Sequence, residues 1–379
     1  MKQIMGQYFE AVRDTMSRLR YPMSFLSDEF TDTEEWRNAA RAEVRRLLSY
    51  EPPETPLDAQ TEDTYVKDGL VYQHVSYAQP YGPRTEGILM RPENACGKLP
   101  GIIGLHDHGG FKYYGKEKIT SPKNPPALMK EFQDLYYGGR AWASELAGRG
   151  YVVFVPDVFL WGSRKIRVED LPDWYVTQEG LKEPAGSAGH IDAYNRLSSE
   201  METDIAKTFT EAGMTWPGLM LYDDKRAVDF LLSQPGVDAG NVGCGGLSGG
   251  GLRTVFLASM DERIKCSVCV GFMSTSVEFA LYKVYTHTWM MYLPGLTNLM
   301  DFTDLYSLRG KKPTMVLFDA DDELFTPKGQ EDADKRLRQI YSKMGAPELY
   351  SGQFFPGPHK FDVEMQEAAF AFFDRWMKN

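Results

Sequence analysis

Residues 242–256 read VGCGGLSGGGLRTVF and place six glycines around one serine, Ser248. A phosphate-binding P-loop needs a lysine directly after its second glycine, and no lysine follows any pair of glycines with that spacing here. The dinucleotide-binding fingerprint GxGxxG fails as well, because Ser248 or Thr254 stands where the third glycine is required. The pattern that fits is G-x-S-x-G, formed by Gly246, Ser248 and Gly250.

The residues on either side of Ser248 predict a sharp turn from a strand into a helix. Such a turn lifts a serine hydroxyl off the end of a sheet and tolerates only very small neighbours, which the flanking glycines supply. A serine hydroxyl is a weak nucleophile at neutral pH, so it needs a base within hydrogen-bonding reach and an acid that orients the base. In this setting the acid and then the histidine follow the serine along the chain.

The chain supplies both partners in that order. The strand-like PTMVLF at 313–318 runs into the acidic loop DADDELFTP at 319–327, from which we assign Asp322 as the orienting acid. Asp321 and Glu323 are alternatives in the same loop, most of which is expected to be solvated. His359 lies in the loop FFPGPHKF before the last helical segment and is the expected general base.

When a serine attacks a carbonyl carbon, the carbonyl oxygen becomes an oxyanion, which needs two backbone N–H donors. The residue after the nucleophile, Gly249, supplies the first, and His108 or Gly109 in the loop LHDHGG at 105–110 supplies the second. Losing one such donor typically costs about 2.7–4 kcal/mol of barrier lowering. His106 and His108 could be mistaken for metal ligands, but no HExxH motif or further clustered ligand accompanies them. We therefore expect neither a metal nor a cofactor.

Strand and helix patterns alternate through most of the chain. Short apolar runs such as YVVFVP and IKCSVCVGF read as buried strands, and segments such as LMLYDDKRAVDFLLSQ read as amphipathic helices. This alternation predicts an α/β fold with a mostly parallel central sheet and helices on both faces. The β-rich runs at 64–92, broken by Gly and Pro, predict antiparallel strands at the N-terminal edge of that sheet.

Two domain-level features accompany this alternation. Residues 1–60 are expected to form a helical N-terminal extension that ends at the breaker EPPETP, and residues 61–379 a single α/β domain. Insertions at about 161–215 and 273–312 interrupt the alternation. Because ligands bind beyond the carboxyl ends of parallel strands, we expect both insertions to shape the substrate site.

Composition excludes several classes of protein. A formal charge of -11 argues against binding nucleic acid or anionic membranes through a basic surface. The four cysteines do not make a disulfide framework, and Cys266 and Cys269, although spaced as CxxC, lie in a strand-like run as small buried residues. The first twenty residues lack the apolar core of a signal peptide, and no apolar run reaches membrane-spanning length. The expectation is a soluble, cytoplasmic protein.

Other polar and aromatic residues have two open interpretations. Asp157 and Arg164, which follow a strand end, contact substrate or form a structural ion pair. Five apolar side chains of the insertions line a pocket or pack in the core: Trp161, Trp289, Met290, Met291 and Tyr292.

The order of these motifs, LHDHGG, VPDVFLWGSR, the run 223–264 around Ser248, DDELF and GPHKFDVEMQEAAFAFFDRW, resembles the α/β-hydrolase superfamily, in particular its bacterial dienelactone-hydrolase-like and acetylxylan-esterase-like serine esterases. The resemblance covers residues 65–379. It implies the α/β-hydrolase fold, with Ser248 as the nucleophile where dienelactone hydrolase proper has cysteine, His359 as the base and Asp322 as the acid. It also suggests acetylated sugars as substrates.

The sequence therefore predicts a serine carboxylic-ester hydrolase that acts through an acyl-enzyme on short acyl esters of small molecules or saccharides. A serine peptidase or an acyltransferase could use the same triad, and a non-catalytic binding protein could share the fold. A binding protein usually loses a member of the triad, and many peptidases of this fold carry a propeller whose repeat is absent from this sequence.

Overall fold

One mixed β-sheet forms the centre of the protein. The structure is a computed structural model that describes residues 4–378. Within that range the sheet has nine strands in the order β1-β2-β3-β5-β4-β6-β7-β8-β9. Their bounds are β1 Gln60–Lys67, β2 Leu70–Tyr77, β3 Thr85–Pro92, β4 Leu99–Gly104, β5 Val152–Pro156, β6 Val237–Leu247, β7 Ile264–Val270, β8 Thr314–Asp319 and β9 Tyr350–Phe355.

Strand direction divides the sheet into two parts. β1, β2 and β3 pair antiparallel, and β3 also pairs antiparallel with β5. All pairs from β5 through β4 and β6 to β9 are parallel. The predicted mostly parallel sheet with antiparallel N-terminal edge strands is confirmed.

Helices cover both faces of this sheet. They are α1 Phe9–Ser17, α2 Thr33–Leu48, α3 Ala127–Tyr136, α4 Trp142–Gly148, α5 Ala188–Glu200, α6 Glu202–Glu211, α7 Trp216–Leu232, α8 Gly249–Met260, α9 Ser276–Glu278, α10 Leu296–Leu299, α11 Phe302–Ser307, α12 Pro327–Lys343 and α13 Val363–Met377. Side chains of a strand alternate between faces. Val316 of β8 joins one apolar cluster with α7, α8 and α12, whereas Met315 and Leu317 join a second cluster with α4 and α13.

The N-terminal helices lie against the α/β core. α2 begins after Asp32, whose side chain caps the helix by accepting a 2.8 Å hydrogen bond from the Glu35 N–H. Its buried face carries Trp36 and Val44 into the same apolar cluster as α7 and α8. The predicted N-terminal helix is therefore packed on the core.

The carboxyl ends of the parallel strands all open at one edge of the sheet. β4 leads into the loop LHDHGG, β6 into Ser248, β8 into the acidic loop and β9 into the loop of His359. The topology thus brings the four predicted segments to one edge. Among residues 4–378, no helix combines the length and the apolarity needed to cross a membrane.

Candidate active site

Ser248 sits at the turn between β6 and α8 in an unusual backbone conformation. Its φ is 56° and its ψ is −118°, a region that residues with a side chain rarely occupy. Holding a residue there costs about 1–3 kcal/mol, so the surroundings must impose it. They do so by close packing: a Cβ atom at Gly246 or at Gly250 would collide with the carbonyl oxygen of Leu105 in the neighbouring strand connection. Only glycine fits at both positions.

His359 and Asp322 are hydrogen-bonded to each other. His359 Nδ1 lies 2.6 Å from Asp322 Oδ2, and the other oxygen of Asp322 accepts a 2.9 Å hydrogen bond from the Leu324 N–H. Because a carboxylate only accepts, we assign the proton to Nδ1. This leaves a lone pair on Nε2, which is buried and has no hydrogen-bond partner among the described residues. The ring nitrogen that a general base uses is therefore free.

The electrostatic surroundings of His359 favour its protonated form. Burial by itself lowers the pKa of His359, but the hydrogen bond and charge of Asp322, with further contributions from Asp319 and Asp107, outweigh burial. The pKa of His359 consequently lies above its ordinary value of 6.5. A histidine with a raised pKa accepts a proton more readily.

The other acids of the 319–327 loop lie in different environments. Asp321 and Glu323 are exposed, and Asp321 accepts a 2.8 Å hydrogen bond from the Gly357 N–H. Asp319 is buried, accepts a 3.1 Å hydrogen bond from the Lys360 N–H, and leaves its second oxygen without a partner among the described residues. Burial raises the pKa of Asp319 to about 7. Asp322 is thus the acid that the structure places against the histidine.

Asp319, Asp322 and His359 also form a group that could hold a metal ion. One ligand atom from each lies within 4.8 Å of the others. His359, however, uses Nδ1 as a donor to Asp322, so that nitrogen has no lone pair for a metal. The hydrogen bond between His359 and Asp322 instead orients the imidazole ring.

The predicted oxyanion loop lies directly against the start of α8. A Cβ atom at Gly249 would lie 2.7 Å from the His108 backbone nitrogen, so the two segments are in close contact. Gly249 is the first residue of α8, and the N–H groups of a first helical turn have no partner within the helix. The Gly110 N–H is already donated to His108 Nδ1 at 3.0 Å. His108 and Gly109 therefore remain the candidates for the second donor.

A cavity of about 380 Å³ opens over Ser248 and His359. Its walls come from the predicted oxyanion loop, from both insertions and from the strand ends. The lining residues are Asp107, His108, Gly109, Gly110, Tyr136, Ser199, Glu202, Leu247, Ser248, Gly249, Phe272, Tyr285, Thr286, His287, Thr288, Leu324 and His359. Both insertions thus border the cavity, and the lining contains neither lysine nor arginine.

Glu202 and His287 are among the lining residues that were not predicted from the sequence. Glu202, the first residue of α6, accepts hydrogen bonds from His108 and Thr288. His287 is half-buried between the rings of Phe279 and Phe325, and desolvation lowers its pKa to about 4. A lone glutamate in an amphipathic segment and a lone histidine in an aromatic one carry no signal that distinguishes them from surface and core residues.

Other sequence candidates do not line this cavity. Asp157 contacts Lys116 Nζ at 2.8 Å, and Arg164 Nε lies 3.6 Å from Asp223. The two residues therefore belong to two separate buried ion pairs and do not pair with each other. Trp161, Met290 and Met291 are buried in the core, and Tyr292 packs against it. Trp289 is 45% exposed and donates to Thr203. Packing is the role that the structure gives these apolar residues, apart from the exposed Trp289.

Fold and site together define an α/β-hydrolase: a mostly parallel sheet, a strained serine between strand and helix, and a histidine–aspartate pair at the same cavity. The model of the dienelactone hydrolase family matches residues 139–344, which is more than half of the chain. The protein belongs to the dienelactone hydrolase family, and with it to the carboxylic ester hydrolases.

Individual relatives are distant in sequence. A candidate hydrolase of Bacillus subtilis (strain 168) named YtaP is 22% identical over 344 residues, which are 90% of this chain and 100% of that one. A candidate acetyl xylan esterase of Bacteroides fragilis NCTC 9343 has a similar structure, with a TM-score of 0.70 at 14% identity over 93% of this chain and 84% of its own. A glucuronoyl esterase of Solibacter usitatus gives 0.58 at 15% identity, over 90% and 93% of the two chains. At these identities the structural likeness establishes the fold.

Proposed function

We propose that this protein is a serine esterase in which Ser248, His359 and Asp322 form the catalytic triad. One observation carries the proposal: the unpartnered Nε2 of His359 and the strained Ser248 line the same cavity, while Asp322 holds the opposite ring nitrogen. This is the division of roles that a nucleophile, a base and an orienting acid require.

The first half of the reaction transfers the acyl group to the enzyme. His359 Nε2 takes the proton of the Ser248 hydroxyl as Oγ attacks the ester carbonyl carbon. The carbonyl oxygen becomes an oxyanion, which accepts hydrogen bonds from the Gly249 N–H and from the N–H of His108 or Gly109. The tetrahedral intermediate then collapses, the bond to the alcohol breaks, and His359 gives its proton to the departing alkoxide.

The second half returns the enzyme to its starting state. Water enters, loses a proton to His359 Nε2 and attacks the acyl carbon of the Ser248 ester. The same N–H donors stabilise the second oxyanion. Its collapse releases the carboxylic acid, and the proton on His359 returns to Ser248 Oγ. In each half of the reaction His359 takes up one proton and gives up one proton, so the cycle needs no cofactor.

The proposed substrate is an uncharged ester with a short acyl chain, such as an acetylated sugar. A cavity of about 380 Å³ lies at the small end of ligand sites. Tyr136 and Phe272 offer it apolar faces, and Thr286 and Thr288 offer hydroxyl groups suited to sugar hydroxyls. The acetyl xylan and glucuronoyl esterases among the structural neighbours support a carbohydrate ester as the substrate.

Labelling with a fluorophosphonate tests the proposal directly. We expect one adduct per chain, located on Ser248 by peptide mass spectrometry, together with hydrolysis of p-nitrophenyl acetate. Heat-denatured protein serves as the control, because the adduct requires the assembled site. Turnover without an adduct on Ser248, or neither turnover nor adduct, would contradict the proposed mechanism.

The charges around the cavity predict that the protein hydrolyses an uncharged acyl group faster than a negatively charged one with the same number of carbon atoms. Asp107 and Glu202 line the cavity, and the lysines that pair with them, Lys118 and Lys112, have fully buried side chains. An anionic substrate would lose its hydration there without gaining an accessible cation. We expect kcat/KM for p-nitrophenyl hemisuccinate to be at least about tenfold below that for the butyrate, a factor that corresponds to about 1.4 kcal/mol.

Steady-state kinetics at neutral pH, where the hemisuccinate is ionised, measures this ratio. The control is the methyl ester of the hemisuccinate, which is longer but uncharged and should be hydrolysed faster than the acid. A hemisuccinate that is hydrolysed as fast as the butyrate would show that the cavity accepts anions.

A further inference from the structure

Glu202 connects three separate parts of the active-site wall. Its Oε1 lies 2.6 Å from His108 Nε2 and 2.7 Å from Lys112 Nζ, and its Oε2 accepts a 2.7 Å hydrogen bond from the Thr288 hydroxyl. The first insertion carries Glu202, the second carries Thr288, and His108 belongs to the oxyanion loop. Only 7% of Glu202 is exposed, so its carboxylate interacts mainly with these partners.

The hydrogen bonds around His108 define the protonation of its ring. The Gly110 N–H donates to Nδ1 at 3.0 Å, so Nδ1 carries a lone pair and the proton is on Nε2, which faces Glu202. Burial, with the nearby Lys112, lowers the pKa of His108 and keeps the ring neutral. Burial raises the pKa of Glu202, but the contacts with His108 and Lys112 outweigh it and hold the pKa well below its usual range. A neutral donor therefore faces an ionised acceptor.

The rest of His108 is held from other directions. Its carbonyl oxygen accepts hydrogen bonds from Lys118 Nζ at 2.9 Å and from Trp161 Nε1 at 3.2 Å. The backbone nitrogen of the same residue lies against Gly249, beside the nucleophile. Glu202 thus holds the side chain of His108, whose backbone lies at the predicted oxyanion position.

We propose that Glu202 is a positioning residue for ester hydrolysis. By accepting the hydrogen bond from His108 Nε2, it fixes the loop that supplies the second oxyanion donor. The inference rests on the proposed function. A donor displaced by about 1 Å can cost on the order of 10²-fold in rate, because oxyanion stabilisation depends on preset geometry.

Two conservative variants distinguish the effect of the length of the Glu202 side chain from the effect of its charge. Glu202→Gln keeps the length of the side chain and an oxygen for His108 but removes the negative charge. Glu202→Asp keeps the charge but shortens the side chain, which withdraws the oxygen from His108. We expect kcat for p-nitrophenyl acetate to fall by about 10–100-fold in Glu202→Asp and by less than about tenfold in Glu202→Gln, with KM little changed in both.

A second measurement reports on the oxyanion itself. Aryl trifluoromethyl ketones form a hemiketal oxyanion on a serine nucleophile. Their affinity for Glu202→Asp should fall by the same factor as kcat/KM. Glu200→Asp is the matched control, because Glu200 lies two residues away, contacts Gln178 and does not line the cavity. The control variant should retain wild-type kinetics and inhibitor affinity.

The possible results are separable from failure of the proposed mechanism. Labelling of Ser248 and turnover by the wild-type protein test the mechanism independently of Glu202. Three outcomes overturn the positioning role: wild-type kcat in Glu202→Asp, a larger loss in Glu202→Gln than in Glu202→Asp, or a change in KM alone. Loss of folded protein in both variants, seen by thermal melting, would assign Glu202 to the fold and would also overturn it.

Discussion

Ser248→Ala is expected to lower kcat for p-nitrophenyl acetate by about 10⁶-fold and to leave the protein folded. The substitution removes the proposed nucleophile, while the proposed oxyanion donors and the cavity remain and should support only a slow attack by water. Alanine keeps the Cβ atom of serine, so the close packing of the turn is unchanged. Steady-state rates and thermal melting of the two proteins measure both parts of this expectation.

A double variant tests whether Ser248 and His359 act as a unit. His359→Ala should lose nearly as much activity as Ser248→Ala, and the double variant should be no slower than either, because residues of one catalytic unit are not additive. Ser233→Ala, at the end of α7, is the control and should keep wild-type rates. A further large loss in the double variant, or more than about 1% of wild-type kcat in Ser248→Ala, would mean that the serine and the histidine do not form this unit.

Asp322→Asn is expected to lower kcat by about 10⁴-fold. An amide nitrogen at this position can donate to His359 Nδ1 and so favour the tautomer with the proton on Nε2, which cannot accept a proton from serine. The exposed neighbours provide matched controls: Asp321→Asn and Glu323→Gln should stay within about twofold of wild type, as surface changes usually do. Wild-type rates in Asp322→Asn, with losses in either neighbour, would assign the acid to that neighbour.

The pH profile of the same variant gives a second readout. In wild type, the acidic limb of kcat/KM should have a midpoint above 6.5, because the base must be neutral and the pKa of His359 is raised. Without the charge and hydrogen bond of Asp322, burial becomes the dominant influence and lowers the pKa of His359. The acidic limb should therefore move to lower pH in Asp322→Asn. A limb that stays in place would show that Asp322 does not act on the base.

The sequence was sufficient where local patterns carry the information. The alternation of apolar strands and amphipathic helices predicted the sheet and its antiparallel edge, because side-chain period and burial are local properties. The turn at Ser248 was predictable because G-x-S-x-G is a local pattern, although the contacts that require glycine at 246 and 250 come from Leu105, far away in the chain. The two-sided packing of the helices followed from the continuous apolar strands.

The sequence was insufficient where burial depends on distant segments. Asp157 and Arg164 were adjacent candidates for one ion pair, yet each pairs with a residue from another element, Lys116 and Asp223. Glu202 has charged neighbours that face solvent, and its burial is decided by His108, Lys112 and Thr288, which are far away in the chain. Long-range pairing of this kind leaves no periodic signal.

The contacts of Glu202 also affect how the substrate specificity of such an enzyme can change during evolution. The two insertions look like separate modules on a fixed scaffold, and each could be thought free to vary with the substrate. The contacts of Glu202 with Thr288 and with His108 instead tie both insertions to the loop beside Ser248. A substitution that suits a new substrate in one insertion then changes the effect of substitutions in the other. We expect epistasis between the insertions, so that new specificities arise by paired changes and grafting one insertion alone impairs catalysis.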